Sequence, residues 1–203
     1  MNEYLFYASV RESFFKGHIS PGAFDTMQTI LKECRDRKVY DYRYQAYILA
    51  TAWHEAFHYT KNPDWNPVRE HFAKTNEEAI RKVTAEYNAG RIPDNYAKPA
   101  KNGNSYYGRG WPQLTWERNY KAASRLYGVD FHGNPDLVLQ RPYAALLLVG
   151  GMVEGWYTSV SLSDFITTQK TDFVNARRVV NGLNKAKEIA VTAKKFYNAM
   201  IQL

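Results

Sequence analysis

Tyr42-Arg43-Tyr44-Gln45-Ala46-Tyr47-Ile48-Leu49-Ala50-Thr51-Ala52-Trp53-His54-Glu55-Ala56-Phe57-His58 is apolar on nearly every face. Ala46, Ala50, Trp53 and Phe57 recur at helical spacing on one side, and Tyr47, Ile48, Leu49 and Ala52 cover the others. A helix that is hydrophobic all round lies inside a fold rather than on it. The stretch therefore predicts a central buried helix over residues 42–57 and a mainly α domain assembled around it. It also carries Glu55, and a glutamate in such surroundings is uncommon unless it is paired or has work to do.

Helical signals continue on both sides. Ser20 followed by Pro21 is an N-cap with proline at the first helical position, and Phe24, Met27, Ile30, Leu31 and Cys34 follow at helical spacing. Pro63 and Pro67 mark a loop. Asn76-Glu77-Glu78 opens a helix with acids at its positive end, stopped near Gly90. Residues 91–110 are rich in Pro, Gly, Asn and Lys and predict a long loop with at most a short β-hairpin. Further helices are expected over 116–127 up to Gly128, from Pro142 through Met152 despite Gly150-Gly151, over 171–180, and over 186–201. The last should turn Ile189, Ala193, Phe196, Tyr197 and Met200 inward and Lys185, Lys187, Lys194 and Lys195 outward. No repeat or linker divides the chain, so one catalytic domain is expected over 1–203, with an N-terminal helical segment (1–40), a core (41–203) and no separate wall-binding module.

The 203 residues are 45% hydrophobic, enough for a real core, and 15% aromatic, with 16 Tyr and 5 Trp that could stack on sugar rings or bases or simply fill the interior. A net charge of +7 predicts attraction to anionic polymers: nucleic acid, anionic lipid or wall material. The single cysteine, Cys34, excludes an intrachain disulfide and sits on an apolar stripe, as buried filler does. Met1-Asn2-Glu3-Tyr4 lacks the basic start of a signal peptide. No run approaches roughly 18 uninterrupted apolar residues, so no transmembrane helix is expected.

Glu55 stands inside His54-Glu55-Ala56-Phe57-His58, a match to H-E-x-x-H. In that motif two histidines on one helical face bind zinc and the glutamate is the base; Glu77 would be the third ligand. The pattern requires the helix to run past His58, whereas Tyr59-Thr60-Lys61-Asn62-Pro63 predicts that it stops, leaving His58 to anchor a loop. The other reading is glycoside hydrolysis, which needs one protonated and one ionised carboxyl. On so apolar a helix Glu55 should be desolvated and its pKa raised, as suits an acid. Its partner is Asp64 or Glu70. Asp64, nine positions on, resembles the glutamate–aspartate spacing of small phage lysozymes, which carry a threonine where this chain has Glu70.

Tyr106-Tyr107-Gly108-Arg109-Gly110-Trp111-Pro112-Gln113-Leu114-Thr115-Trp116, continuing to Asn119-Tyr120, closely resembles the signature of glycoside hydrolase family 19, which includes plant-type chitinases and many phage endolysins. The His54-Glu55 pair, Asn134-Pro135-Asp136-Leu137 and Val179-Val180-Asn181-Gly182 fall in the family's order. The resemblance covers residues 40–203, and the N-terminal helix looks like that of the short phage members. It implies a lysozyme-like or chitinase-like helical fold with a catalytic cleft. It further implies Glu55 as general acid, Glu70 as base, Thr115 holding the attacking water, Tyr106, Gln113 and Asn119 contacting sugar, and Asn181 in the substrate floor. Family members invert configuration, so the two carboxyls should stand about 6.5–9.5 Å apart to admit a water. No cofactor or metal is required. The chain departs from the family in lacking disulfides, in placing Trp111 where a small or aliphatic residue is usual, and in a shorter segment between the two glutamates than plant enzymes have.

The expected function is therefore that of a muramidase-type phage endolysin cleaving the β-1,4 bonds of peptidoglycan. It would be a monomer made in the host cytoplasm without a signal peptide, reaching the periplasm and wall by holin-type release. Its basic surface could touch anionic membrane or wall polymer, and nucleic acid is not an expected partner. The rivals are a chitinase acting on N-acetylglucosamine polymers, a zinc peptidase using His54, His58 and Glu77, and a non-catalytic wall- or nucleic-acid-binding module. Arg109 is read evenly as a substrate contact or as a brace for Glu55 or backbone carbonyls. Arg177 and Arg178 are read as an ion-paired helix face, and His71 is given no role.

Overall fold

The computed structural model describes residues 1–202. Its helices are α1 (Glu3–Phe14), α2 (Pro21–Asp36), α3 (Tyr42–Ala56), α4 (Asn76–Asn88), α5 (Glu117–Tyr127), α6 (Arg141–Glu154) and α7 (Ala186–Met200), joined by short 3-10 turns. The mainly α expectation holds. α3 starts at an Asp41 cap whose carboxylate accepts the Arg43 N–H at 2.8 Å, and Gln45 through Ala52 are buried without a break. α7 lies along α3, α1 packs on α7, and α2 packs on α6. Phe14 stacks on Phe196 with centroids 4.1 Å apart, and Trp53 stacks on Phe57 at 3.7 Å.

Two buried indoles carry this core toward the cleft. Trp65 Nε1 donates to the Ala52 carbonyl at 2.9 Å, and Trp111 Nε1 donates to the Trp65 carbonyl at 2.9 Å. A buried indole N–H needs such an acceptor. Trp111, the departure from the family pattern, is thus an anchor that ties its loop to α3 through Trp65.

The helix ends follow the sequence closely. Ser20 accepts from Ala23 N, Thr75 accepts from Glu78 N, and α5 and α6 stop at Gly128 and Gly155 in the left-handed conformation. Gly151 sits inside α6 because the Tyr157 ring lies where a Cβ would be, and the Tyr157 hydroxyl donates to the Leu147 carbonyl at 2.6 Å. The helix expected over 171–180 is only a 3-10 turn, Asn175–Val179. Asp172 accepts from the backbone and side-chain nitrogens of Asn175 at 3.0 and 2.8 Å, and this local turn chemistry competes with helix propagation.

The expected hairpin within 91–110 is not what forms. β1 (Val68–Arg69) pairs antiparallel with β2 (Arg109–Gly110), Val68 facing Gly110 and Arg69 facing Arg109, so the sheet joins segments about forty residues apart. α3 also ends before His58. Phe57 is extended, with φ −75° and ψ 136°, and His58 Nδ1 accepts the backbone N–H groups of Thr60 and Lys61 at 3.2 Å. His58 is a loop anchor and does not share a helical face with His54. Glu77 stands at the exposed start of α4, and among the described residues no group of three or more His, Cys, Asp or Glu side chains converges as metal ligands would. The geometry the zinc reading needs is therefore not formed. No helix among the described residues is long and apolar enough to cross a membrane.

Candidate active site

A cleft of about 570 Å³ is lined by Glu55, Glu70, Gln113, Thr115, Asn119 and Asn181, all singled out from the sequence. Tyr106 is the exception. It is 2% exposed, donates its hydroxyl to the His132 carbonyl at 2.9 Å, accepts from Asn102 Nδ2 at 2.7 Å and stacks on the His132 ring. It packs behind the cleft, and the expected sugar contact is corrected to a core role. Asp64 packs against Gly22 at the start of α2, away from the cleft lining, so the carboxyl that shares the cleft with Glu55 is Glu70.

Glu55 projects from the last turn of α3. Its Oε1 accepts from Arg177 Nη1 at 2.8 Å, with the arginine side chain 4% exposed and the glutamate 19%. The desolvated position expected of Glu55 thus holds an ion pair, and Arg177, read as part of an ion-paired helix face, is ion-paired from a buried position. Arg177 also donates to the Asn184 carbonyl at 3.3 Å. His54, on the same turn, is held below the ordinary histidine range by burial, opposed by the neighbouring Glu55 charge.

Glu70 follows directly on β1. Its N–H donates to the Gly108 carbonyl at 2.8 Å, and the Gly108 N–H donates back to Glu70 Oε2 at 3.0 Å. Burial pushes this carboxyl above its ordinary range, against the opposing Gly108 N–H. Tyr96 lines the same cleft beside Glu70, and burial together with that carboxylate pushes the Tyr96 phenol up to about 12. Gly108 cannot be replaced without displacing this cluster. A Cβ there would lie 2.5 Å from Glu70 Oε2, 2.8 Å from Gln113 Oε1 and 3.3 Å from Thr115 Oγ1. Three polar atoms therefore converge on one spot beside the base of the cleft.

The loop that supplies them is held by its backbone. Arg109 and Leu114 exchange N–H···O bonds of 3.2 and 2.9 Å. Gln113 Nε2 donates to the Gly110 and Val68 carbonyls at 2.7 and 3.2 Å, which commits its amide nitrogen and leaves Oε1 toward Glu70. The Thr115 hydroxyl donates to the Gln113 carbonyl at 2.8 Å, and Asn119 Nδ2 donates to the Thr115 carbonyl at 2.7 Å. Arg109 braces this loop from behind. It is 2% exposed, pairs with Asp136 at 2.7 Å, donates to the Ser105 carbonyl at 2.8 Å and stacks 3.7 Å from the Tyr107 ring centroid. Of its two readings, the brace on backbone carbonyls is the one formed.

His71, Phe72, Gln113 and Trp116 line the cleft with positive φ values of 54°, 54°, 50° and 74°. Non-glycine residues in that region cost free energy and collect at functional sites. His71, Phe72, Tyr96, Trp116 and Tyr157 were not assigned to the site from sequence. Tyr96 carried a usable signal, as an aromatic residue in a polar loop.

The sequence profile described as chitinase class I matches residues 19–148. The chain belongs to glycoside hydrolase family 19. Among family 19 relatives, Endochitinase CH25 of Brassica napus is 49% identical over 47 residues, 23% of this chain and 15% of that protein. Chitinase 6 of Oryza sativa subsp. japonica is 34% identical over 85 residues, 41% of this chain and 29% of that one. The crystal structure of a bacterial family 19 chitinase matches with a TM-score of 0.52 at 23% identity, covering 100% of this chain and 95% of that one. A chitinase C mutant matches with a TM-score of 0.50 at 20% identity, covering 98% and 76%. At these identities the structural likeness speaks to the family 19 fold.

Proposed function

We propose that this family 19 protein hydrolyses β-1,4 glycosidic bonds of the peptidoglycan glycan strand, as a muramidase-type endolysin does. The observation that carries the hydrolase reading is the pair Glu55 and Glu70 opening onto one cleft, with Thr115 and Gln113 gathered at Glu70. A water there gives one proton to Glu70 and points the other at Thr115 Oγ1, whose own proton is already on the Gln113 carbonyl. Its remaining lone pair is then free for the anomeric carbon. As the water oxygen bonds to that carbon, the bond to the leaving oxygen breaks, Glu70 takes the water's proton and Glu55 protonates the leaving oxygen. The product is inverted. A base whose pKa lies above the ordinary carboxylate range is a stronger base, which suits Glu70.

The ion pair of Glu55 with Arg177 favours a second reading in which the roles are exchanged, because a proton on Glu55 costs that pair. An aryl glycoside with an activated leaving group separates the two. It needs no acid, so the substitution Glu55→Gln spares its hydrolysis if Glu55 is the acid and abolishes it if Glu55 is the base.

For the substrate, the net charge of +7 supports an anionic polymer. The competing choice is chitin, favoured by relatives named as endochitinases. Mass spectrometry of products from wall glycan strands and from N-acetylglucosamine oligomers decides. New reducing muramic acid ends are expected, and cleavage of the neutral oligomers with intact wall strands would reject the peptidoglycan reading.

A further inference from the structure

A second hollow of about 500 Å³ shares His71 and Phe72 with the cleft as lining residues. Its other walls include Lys61, Arg81, Lys82 and a single acid, Glu86. Glu86 is occupied by Arg91 through bonds of 2.5 and 3.0 Å. Lys82 is occupied as well, 2.8 Å from Glu78 Oε1 and donating to the His71 carbonyl at 3.1 Å. Glu78, which Arg81 also feels, accepts in addition from the Lys74 N–H at 2.8 Å. Lys61 lies 5.8 Å from the Phe72 ring centroid. Neither Lys61 nor Arg81 has a carboxylate partner among the described residues. Two cations without an ion-pair partner within 4 Å thus border a hollow that shares a wall with the catalytic cleft.

We infer that this hollow is a subsite for carboxylates borne by the glycan's substituents, entered over the His71–Phe72 lip. The inference rests on the peptidoglycan reading above and sharpens it. A polymer of N-acetylglucosamine carries no anion that Lys61 and Arg81 could meet. A glycan strand whose alternate sugars carry acidic stem peptides presents carboxylates beside the chain, at the lip rather than at the scissile bond. The subsite therefore acts on binding and leaves the bond-breaking groups alone.

The test compares the wild type with the double substitution Lys61→Ala/Arg81→Ala and with the control Lys187→Ala/Lys194→Ala, which removes two exposed charges from α7. Three substrates are used: wall strands with intact stems, the same strands after an amidase has removed the stems, and N-acetylglucosamine hexamer. Loss of two solvent-exposed charge contacts should raise KM on stem-bearing strands about tenfold with kcat unchanged, an effect that fades as salt screens the wild type. Stem-free strands and the control should show no such change. If the wild type cleaves wall strands but the double variant shows the same KM, or loses equally with and without stems, the subsite is overturned while the peptidoglycan reading stands. If the wild type cleaves only the neutral hexamer, both fall together.

Discussion

Arg177 reaches Glu55 across 122 residues of chain, Nη1 to Oε1 at 2.8 Å, and is the more buried of the two. The pair fixes the carboxyl at the end of α3 and sets the 3-10 turn Asn175–Val179, and with it Asn181, against the cleft. Replacing Arg177 with Ala removes a buried partner whose loss typically costs about 3 kcal/mol. Urea unfolding should show that loss, together with reduced hydrolysis. Unchanged stability would mean the pair contributes nothing to the fold.

Glu55→Gln keeps an oxygen for Arg177 and removes the ionisable group. Hydrolysis of natural glycan should fall by about 100-fold or more, with the folded circular dichroism spectrum retained. Wild-type turnover by the folded variant would remove Glu55 from the chemistry.

Glu70 titrates above its ordinary range because it is buried, so its ionisation opposes folding. A carboxyl raised in the folded state lends stability that is fully present below its unfolded pKa and is lost as pH rises through the folded value. Glu70→Gln removes that dependence. Its melting temperature should exceed the wild type's at neutral pH and converge with it at acidic pH, while activity is lost. A variant less stable at neutral pH would contradict the sign.

Tyr96→Phe deletes the phenol that stands beside the Glu70 carboxylate and favours its charged form. The Glu70 pKa should rise further, and the acidic limb of the kcat/KM profile should move to higher pH. A shift to lower pH, or none, would separate Tyr96 from the base.

Thr115→Val keeps the shape and removes the oxygen that would hold the water's second proton. The expected result is a fall in kcat of about ten- to a hundredfold with little change in KM, the mark of lost positioning in the transition state. Thr115→Ser should recover most of it. A rise in KM alone would make Thr115 a sugar contact instead.

Much of this arrangement could be read from the chain, and the misses have physical causes. The all-round apolar stretch 42–57 predicted α3 to within a residue, because burial on every face leaves few alternatives. Ser20-Pro21 and the glycine stops worked for the same local reasons. Gln113, Thr115, Asn119 and Asn181 came from the family resemblance, since nothing in their spacing alone brings them to one cleft, and the resemblance also chose Glu70 over Asp64. Tyr106 was misassigned because a tyrosine in a motif looks alike whether it faces sugar or a histidine ring. Arg177 was read as ion-paired, but its partner Glu55 was missed because it lies across the whole fold, and the β1–β2 pairing was missed because two-residue strands leave no periodicity to detect.

The reciprocal bonds between Glu70 and Gly108 have a consequence for variation in this protein. The second carboxyl is clipped to the 106–116 motif from both its backbone and its side chain, and not positioned by the residues that separate it from Glu55. Its address is therefore set by the motif rather than by its distance in sequence from Glu55. The excursion between Glu70 and Gly108 carries α4 and, with Arg81, Lys82 and Glu86, most of the basic hollow, so the exposed charges of that helix can be changed while the hydrolytic pair stays in register. Substrate range can then drift by recharging the outer face of that segment around an unchanged reaction centre.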